Sequence, residues 1–274
     1  MRILFLGDIV GEPGMRAVKD NLPRVREEEG IDFAFANGEN ANHGYGLTAV
    51  QAEDLLRAGL DGITGGNHIW QSKDLYPLLE SDGRILRPHN YPDHLPGTGV
   101  RIFRREGFPK VAVINIIGRT FMPPIDCPFA AIETIVDGLP ADVPAAIVDF
   151  HAEATGEKIA MGYFLEGKVS AVVGTHTHVQ TNDAKVLPGG TGYLTDLGMC
   201  GARDSCLGMK PEIILDRYLT GLPRQLEAAS GEGILQGAIF DIDDSSGKAV
   251  AMTAFQQEHR AQAVLQPTTS RGEK

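Results

Sequence analysis

The sequence predicts an α/β fold: two packed mixed β-sheets with helices on their outer faces, a four-layer αββα sandwich. Three observations lead there. Short apolar runs alternate with amphipathic stretches from the first residues, the strand–helix–strand rhythm of a parallel sheet. The middle of the chain changes to apolar runs joined by a tight turn, the mark of antiparallel pairing. The composition is that of a globular protein, with 274 residues, 42% hydrophobic and 22% charged, so a single domain over residues 1–274 is the expected organisation.

The elements follow in order. Residues 3–6 read as a buried strand. Residues 13–29 read as a helix broken near Pro23, because proline removes a backbone donor. Residues 33–36 form the next strand. Residues 48–58 form a helix, with Thr48 and Gln51 at capping-box spacing and Gly59 just past its end. Ile63 and Thr64 belong to a third strand. Residues 100–103 and 111–117 flank Glu106-Gly107-Phe108-Pro109, which predicts a hairpin. Residues 145–150 and 171–174 are apolar strands around a helix at 158–165. Further strands are expected at 192–195, 238–242 and 250–255, and a helix at 212–220. From Gln266 the tail is polar and expected to fray. No internal repeat, low-complexity tract or linker interrupts the chain.

Charge and cysteine content narrow the function. The formal net charge of -11 repels a phosphate backbone, so extended DNA or RNA is not an expected partner. A small phosphorylated substrate stays open, because bound cations reverse the local field. Cys127, Cys200 and Cys206 are an odd, sparse set without zinc-knuckle spacing, which speaks for reduced thiols and a cytoplasmic location. The N-terminal MRILFLGD lacks a charged leader, and no apolar run approaches the roughly 20 residues that span a membrane.

The chemistry gathers where strands end. Asp8 follows ILFLG, Glu39 and Asn40 follow FAFANG, and Asn67 and His68 follow GITGG. His151 follows AAIVDF, and His176 and His178 follow AVVG. In α/β sheets, ligands collect beyond the carboxyl ends of strands. Any one of these has a plainer explanation. An aspartate after a strand ordinarily caps a helix or makes a turn, an asparagine after glycine sits in a tight turn, and a lone histidine is more often hydrogen-bonded structure. His176-Thr177-His178 is sharper, because i and i+2 of an extended segment point to the same side, although a solvated loop also accommodates the pair. Five strand ends carrying such residues favour a shared crevice. The set offers carboxylate and amide oxygen and imidazole nitrogen without thiolate, which suits iron, manganese, cobalt or zinc. Seven of these, Asp8, Glu39, Asn40, Asn67, His151, His176 and His178, exceed one tetrahedral zinc and are enough for two ions with a bridging carboxylate. Two ions about 3.5–4 Å apart clamp a phosphoryl group and acidify a bridging water.

Gly7-Asp8, Gly38-Glu39-Asn40, Gly65-Gly66-Asn67-His68, the strand ending in His151 and GTHTHVQ at 174–180 together resemble the calcineurin-like metallophosphoesterase superfamily. Within it, NGENANHGYGLT, GGNHIW and TDLGMCG look like the YmdB-type phosphodiesterases, over the chain from its first strand to about Gly201. The resemblance implies the αββα sandwich and two metal ions, iron first. It places Asp8, Glu39, Asn40 and His178 around one ion, and Glu39, Asn67, His151 and His176 around the other. It makes His68 the general acid that protonates the leaving alkoxide, a role worth roughly 10²–10⁴-fold. The implied reaction is in-line hydrolysis of a cyclic nucleotide by a metal-activated hydroxide, with 2′,3′-cyclic monophosphates leading and 3′,5′-cyclic monophosphates second. Because the family is often oligomeric, a homo-oligomer is implied too.

The chain also departs from the superfamily pattern. Asp8-Ile9-Val10 stands where Asp-x-His is usual, and Asn40 would fill that vacancy. Glu39 replaces the bridging aspartate. Ile69 replaces the acid that usually follows Gly-Asn-His and leaves His68 without its common support. Asn42, His43 and Tyr45 are candidates for nucleobase or ribose contact or for a plain surface loop, and Trp70 for stacking on a base or for ordinary packing. Arg119 is a candidate for phosphate contact or surface pairing, and Asp196 a candidate for orienting a ligand histidine from behind. Gly7 to Gly14 lacks the G-x-G-x-x-G spacing of a dinucleotide loop. Two rival functions stand beside the diesterase: a phosphomonoesterase such as a nucleotidase, and a metal-dependent regulatory scaffold with incidental hydrolysis.

Overall fold

A computed structural model describes residues 1–259; the tail expected from Gln266 lies outside the described residues. In chain order the elements are β1 (Arg2–Leu6), β2 (Asp8–Ile9), α1 (Gly11–Glu28), β3 (Phe33–Asn37), α2 (Ala49–Arg57), β4 (Gly62–Thr64), α3 (Tyr76–Ser81), β5 (Ile85–Leu86), β6 (Val100–Phe103) and β7 (Val111–Ile117). Then come α4 (Pro128–Asp137), β8 (Ala145–His151), α5 (Thr155–Phe164), β9 (Ala171–Thr175), β10 (Lys185–Val186), β11 (Gly192–Leu194), β12 (Met199–Ala202), α6 (Pro211–Thr220), β13 (Gly233–Ile242) and β14 (Ala249–His259).

The strands form two mixed sheets. One runs β2-β12-β13-β1-β3-β4-β5, with β14 paired to β13; the other runs β10-β11-β9-β8-β7-β6. In the first sheet, β1 lies between β3, parallel to it, and β13, antiparallel, with Arg2 opposite Asp241. In the second, β7, β8 and β9 are parallel, and the expected hairpin is present as antiparallel β6 and β7.

Period-two burial then sets the layers. Ile3, Phe5, Phe33, Phe35, Phe240, Val113, Ile147 and Val173 fill the space between the sheets. The opposite face of the first sheet, with Leu4, Leu6, Ala34 and Ile63, is covered by Val18, Leu22, Ala52 and Leu55 of α1 and α2. The outer face of the second, with Ile114, Val148 and Val172, is covered by Ile132 of α4 and Met161 of α5. Four layers result, as expected.

Helix α2 starts on the expected capping box, with Thr48 and Gln51 exchanging both hydrogen bonds. Gly59 follows its end at φ +115, a conformation that glycine adopts without steric cost. The expected break at Pro23 is absent, since α1 runs through it to Glu28. Pro23 is exposed, so the break in backbone hydrogen bonding lies on the solvent side of the helix, while buried Leu22 and Val25 hold it against the sheet.

Candidate metal centre and active site

The inter-sheet faces of three strands change from apolar to polar at the same level. Along β3 the residues read Phe33, Phe35, Asn37; along β8, Ala145, Ile147, Asp149, His151; along β9, Ala171, Val173, Thr175. The core therefore ends in a polar layer at the carboxyl ends of the parallel strands, and the loops beyond carry the rest of the site. Asp8 enters from β2, pinned there by the parallel pairing of Met199 with Asp8 and Cys200 with Ile9.

All seven predicted metal donors lie in this one place. His151 Nε2 is 3.0 Å from Glu39 Oε1, 3.1 Å from Asn67 Oδ1 and 3.0 Å from His176 Nδ1. His178 Nε2 lies 3.8 Å from Asp8 Oδ1 and 3.1 Å from Asn40 Nδ2, whose other neighbour is Glu39 Oε1 at 3.3 Å. Asp8, Glu39 and His151 are fully buried. One ring nitrogen satisfies at most one of the three atoms crowding His151 Nε2, and buried Asp8 Oδ1 has no hydrogen-bond partner among the described residues. Lone pairs packed against one another in this way are what a cation relieves, and oxygen with imidazole nitrogen suits first-row ions. Glu39, His151 and His176 each offer a ligand atom, all within 4.8 Å of one another.

The electrostatics are those of groups that repel and pair at close range. Burial pushes the Asp8 carboxyl up to about 6. Burial also opposes charge on Glu39, but adjacent His151 outweighs it and brings the carboxyl down to about 2. The reciprocal holds for His151: burial disfavours the imidazolium, and Glu39 nevertheless holds it up at about 9. His176 is forced down to about 3 by burial and then by the charge of His151.

His68 sits beside the cluster. Its Nδ1 meets Asn40 Oδ1 at 2.7 Å, with Glu39 Oε1 at 3.6 Å, and its backbone N–H donates to Glu39 Oε2 at 2.9 Å. The support missing through Ile69 is thus supplied by two of the proposed ligands. Burial lowers its pKa against the attraction of Glu39. The ring of Tyr45 stands edge-on to it, centroids 5.1 Å apart.

Several expectations need correction. His176 and His178 are not an extended pair: β9 ends at Thr175, and both histidines have left-handed backbones, φ +97 and +63. The chain coils between them so that both rings still reach the cluster. Asp196 touches no imidazole among the described residues. It accepts from the N–H and hydroxyl of Thr177, at 3.2 and 2.6 Å, and from Lys158 Nζ at 2.6 Å, so it grips the loop between the two histidines. Of the paired readings, packing describes Trp70, which stands edge-on to Tyr76 and Tyr91, and Tyr45 lines the cavity at the site, whereas Arg119, Asn42 and His43 are not among its lining residues.

Other residues at the site were not anticipated. Asp149 takes hydrogen bonds from Thr64, Thr175 and Asn37, and Thr175 Oγ1 lies 2.9 Å from His151 Nδ1, which fixes the ring from behind. Its signal was available: an aspartate two residues before His151 in an otherwise apolar run shares that residue's face. Glu153 Oε2 lies 3.2 Å from His176 Nε2, on the side of the ring away from the cluster. Gly66 is required by space, since a Cβ there would come within 2.5 Å of His151 Cδ2 and closer still to Glu39 Oε2. The cavity over the site measures about 320 Å³ and is lined by Glu39, Asn40, Tyr45, His68, His176 and His178, with Leu207, Met209 and residues of α6 on its far side. A larger cleft of about 670 Å³, beside β6, holds none of the predicted residues.

Known proteins share this arrangement of chain. The sequence is 45% identical over 250 residues to the 2′,3′-cyclic-nucleotide 2′-phosphodiesterase of Bacillus subtilis (strain 168), covering 91% of this chain and 94% of that protein. A crystal structure of a hypothetical protein from Thermus thermophilus superposes with a TM-score of 0.89 at 41% identity, over 95% of this chain and 100% of that one. A structure described as a novel phosphatase from Mycoplasma pneumoniae also gives 0.89, at 31% identity and 94% coverage of both chains. With the family model for YmdB-like protein matching residues 4–255, β1 through nearly all of β14, this chain belongs to the YmdB-like family.

Proposed function

We propose that the chain is a di-metal phosphodiesterase acting on cyclic nucleotides, 2′,3′-cyclic monophosphates first and 3′,5′-cyclic monophosphates second. The observation that carries this reading is the convergence of seven polar side chains from five strand ends, with His151 Nε2 and Asp8 Oδ1 crowded beyond what hydrogen bonds satisfy and His68 beside them. The B. subtilis relative is named for this activity. Asp8, Glu39, Asn40 and His178 would hold one ion, and Glu39, Asn67, His151 and His176 the other. Bound there, two ions would offset the diester's charge and acidify a water. The ligand set suits iron, manganese, cobalt or zinc alike, and the family resemblance puts iron first.

The protein's own groups do the rest. Thr175 and Asp149 fix the His151 ring, and Asp196 holds the loop that aims His176 and His178. His68, with Nδ1 engaged by Asn40, keeps Nε2 free to give a proton to the leaving oxygen. Purified protein analysed for metal is expected to carry close to two ions per chain and to hydrolyse bis-p-nitrophenyl phosphate and 2′,3′-cyclic nucleotides. Asp8→Ala is expected to lose both the metal and the turnover. Full turnover by Asp8→Ala, or by protein stripped of metal, refutes the reading.

The M. pneumoniae relative is described as a phosphatase, which keeps a monoesterase as the second reading. A kcat/KM on p-nitrophenyl phosphate above that on the diester favours it. The free thiols of Cys127, Cys200 and Cys206 fit a reducing compartment. Among the described residues no helix is long and apolar enough to cross a membrane.

A further inference from the structure

The far wall of the active-site cavity differs from its floor. The floor is the donor cluster. The wall is Tyr45, Leu207, Met209, Ile214, Tyr218 and Leu226, aromatic, aliphatic and thioether side chains facing the same space. Ile214 and Tyr218 are one helical turn apart on α6, so both point to one side of it. The turn that carries Leu207 and Met209 is tied to the floor: the Leu207 carbonyl lies 3.0 Å from His178 Nδ1, and Cys206 and Met209 bond to each other across the turn. Met209 also packs where any side chain at Gly44 would stand.

A second feature is the charge of the lining. Among the described residues, no lysine or arginine lines this cavity. One phosphate is matched by the cluster, but a chain of phosphates finds no further cation there. At about 320 Å³ the space is at the small end for ligand sites, enough for one nucleotide unit.

We infer that the wall from Leu207 to Leu226, together with Tyr45, is a nucleobase platform that restricts the enzyme to mononucleoside phosphodiesters while reading the base by surface rather than by hydrogen-bond pattern. The inference rests on the phosphodiesterase reading above and deepens it. Every base has a face that stacks on a tyrosine or lies against a thioether, and such contact is sequence-tolerant. The wall's six side chains include no amide or carboxylate to meet a base edge, so discrimination among bases follows the area of the ring, purines ahead of pyrimidines. An oligonucleotide, with a flanking phosphate on each side, meets Glu153 and no lining cation.

The test compares kcat/KM for adenosine 2′,3′-cyclic phosphate, uridine 2′,3′-cyclic phosphate and the base-free methyl riboside 2′,3′-cyclic phosphate, in wild type and in Tyr218→Ala. Tyr218 is 82% exposed, so its truncation removes no core packing. The wild type is expected to prefer adenosine over the base-free diester by about tenfold or more, with uridine between them. In Tyr218→Ala the adenosine-to-base-free ratio is expected to fall several-fold, and in Tyr218→Ala/Met209→Ala to approach one. A wild-type ratio near one, or a ratio unmoved in the double variant, overturns the platform. Calorimetric binding of adenosine 3′-monophosphate against ribose 3-phosphate gives a readout independent of turnover. If none of the three diesters is hydrolysed, the phosphodiesterase reading falls, and the platform then stands on tighter binding of the adenosine compound or falls on equal binding.

Discussion

Gly66→Ala isolates one demand of the site, the absence of a side chain between Glu39 and His151. The backbone of Gly66 is not left-handed, so alanine is tolerated there conformationally and the effect is purely steric. The added Cβ would lie within 2.5 Å of His151 Cδ2, whereas ordinary contact begins at 3.4 Å. Glu39 and His151 are fully buried and pinned, Glu39 by the His68 N–H and His151 by Thr175, so neither moves aside freely. Relieving the clash needs a displacement of about 1 Å, and a misplacement of that size costs on the order of 10²-fold in turnover. The local overpacking adds about 1–3 kcal/mol of destabilisation. The assay is metal content per chain together with kcat/KM on bis-p-nitrophenyl phosphate and the melting temperature. Gly156→Ala is the control, since a Cβ there meets nothing within 4 Å and its backbone is ordinary. A Gly66→Ala protein that keeps both its metal and its activity within threefold of wild type refutes the steric reasoning.

Three further outcomes concern side chains that are not themselves metal donors. Lys158→Met leaves Asp196 buried without its cation, which is expected to destabilise the fold by about 3–5 kcal/mol and loosen the 176–178 loop; denaturant unfolding measures it, and Lys158→Met/Asp196→Asn should recover part of the loss. Burial pushes the Cys200 thiol up to about 12, so at pH 8 almost none of it is thiolate. A thiol reagent should label half-buried Cys127 and Cys206 and reach Cys200 only on unfolding; rapid labelling of all three contradicts this. The hydrogen bond from Arg2 holds the Asp241 carboxyl below its usual 3.8. A depressed carboxylate contributes stability that is present above the unfolded value and lost as pH falls through the folded one. Asp241→Asn should therefore lower the melting temperature at pH 7 and make progressively less difference as the pH falls below 3.8. This part-exposed pair should cost no more than about 1 kcal/mol, and a loss that does not shrink as the pH falls would exclude the linkage.

What was legible in the sequence, and what was not, divides along physical lines. Strand ends were legible because an apolar run stopping at a polar residue is a local signal, and Asp8, Glu39, Asn40, Asn67, His151, His176 and His178 all stand at such stops. The short strands β2 and β12 gave no signal, because Asp8-Ile9 pairs with Met199-Cys200 and nothing in two residues announces a partner so far away. Helix α4 was missed although Pro128 opens it, in the position where proline's lost donor is free of cost. Pro23 shows the converse: a helix breaker read locally was overridden by the packing of Leu22 and Val25. The left-handed turns at His176 and His178 are held by contacts of Asp8 and Asp196, distant in sequence, so the two rings meet at the cluster by a geometry other than the extended pairing expected of them. The apolar cavity wall was not legible, because Leu207, Met209 and Tyr218 carry no local signal and meet the site only where the fold brings them over His178.

The position of β1 between β3 and β13 has a consequence for synthesis. Its first neighbour is translated almost at once, but Gly233–Ile242 leaves the ribosome much later. At ribosomal speeds of about 5–20 residues per second, the intervening stretch of roughly 230 residues keeps the strand that leads to Asp8 waiting about 10–50 s with one flank bare. A nascent chain released early thus presents an unpaired hydrophobic ribbon to its surroundings, and truncated products of this protein are expected to need chaperone protection that the finished chain does not.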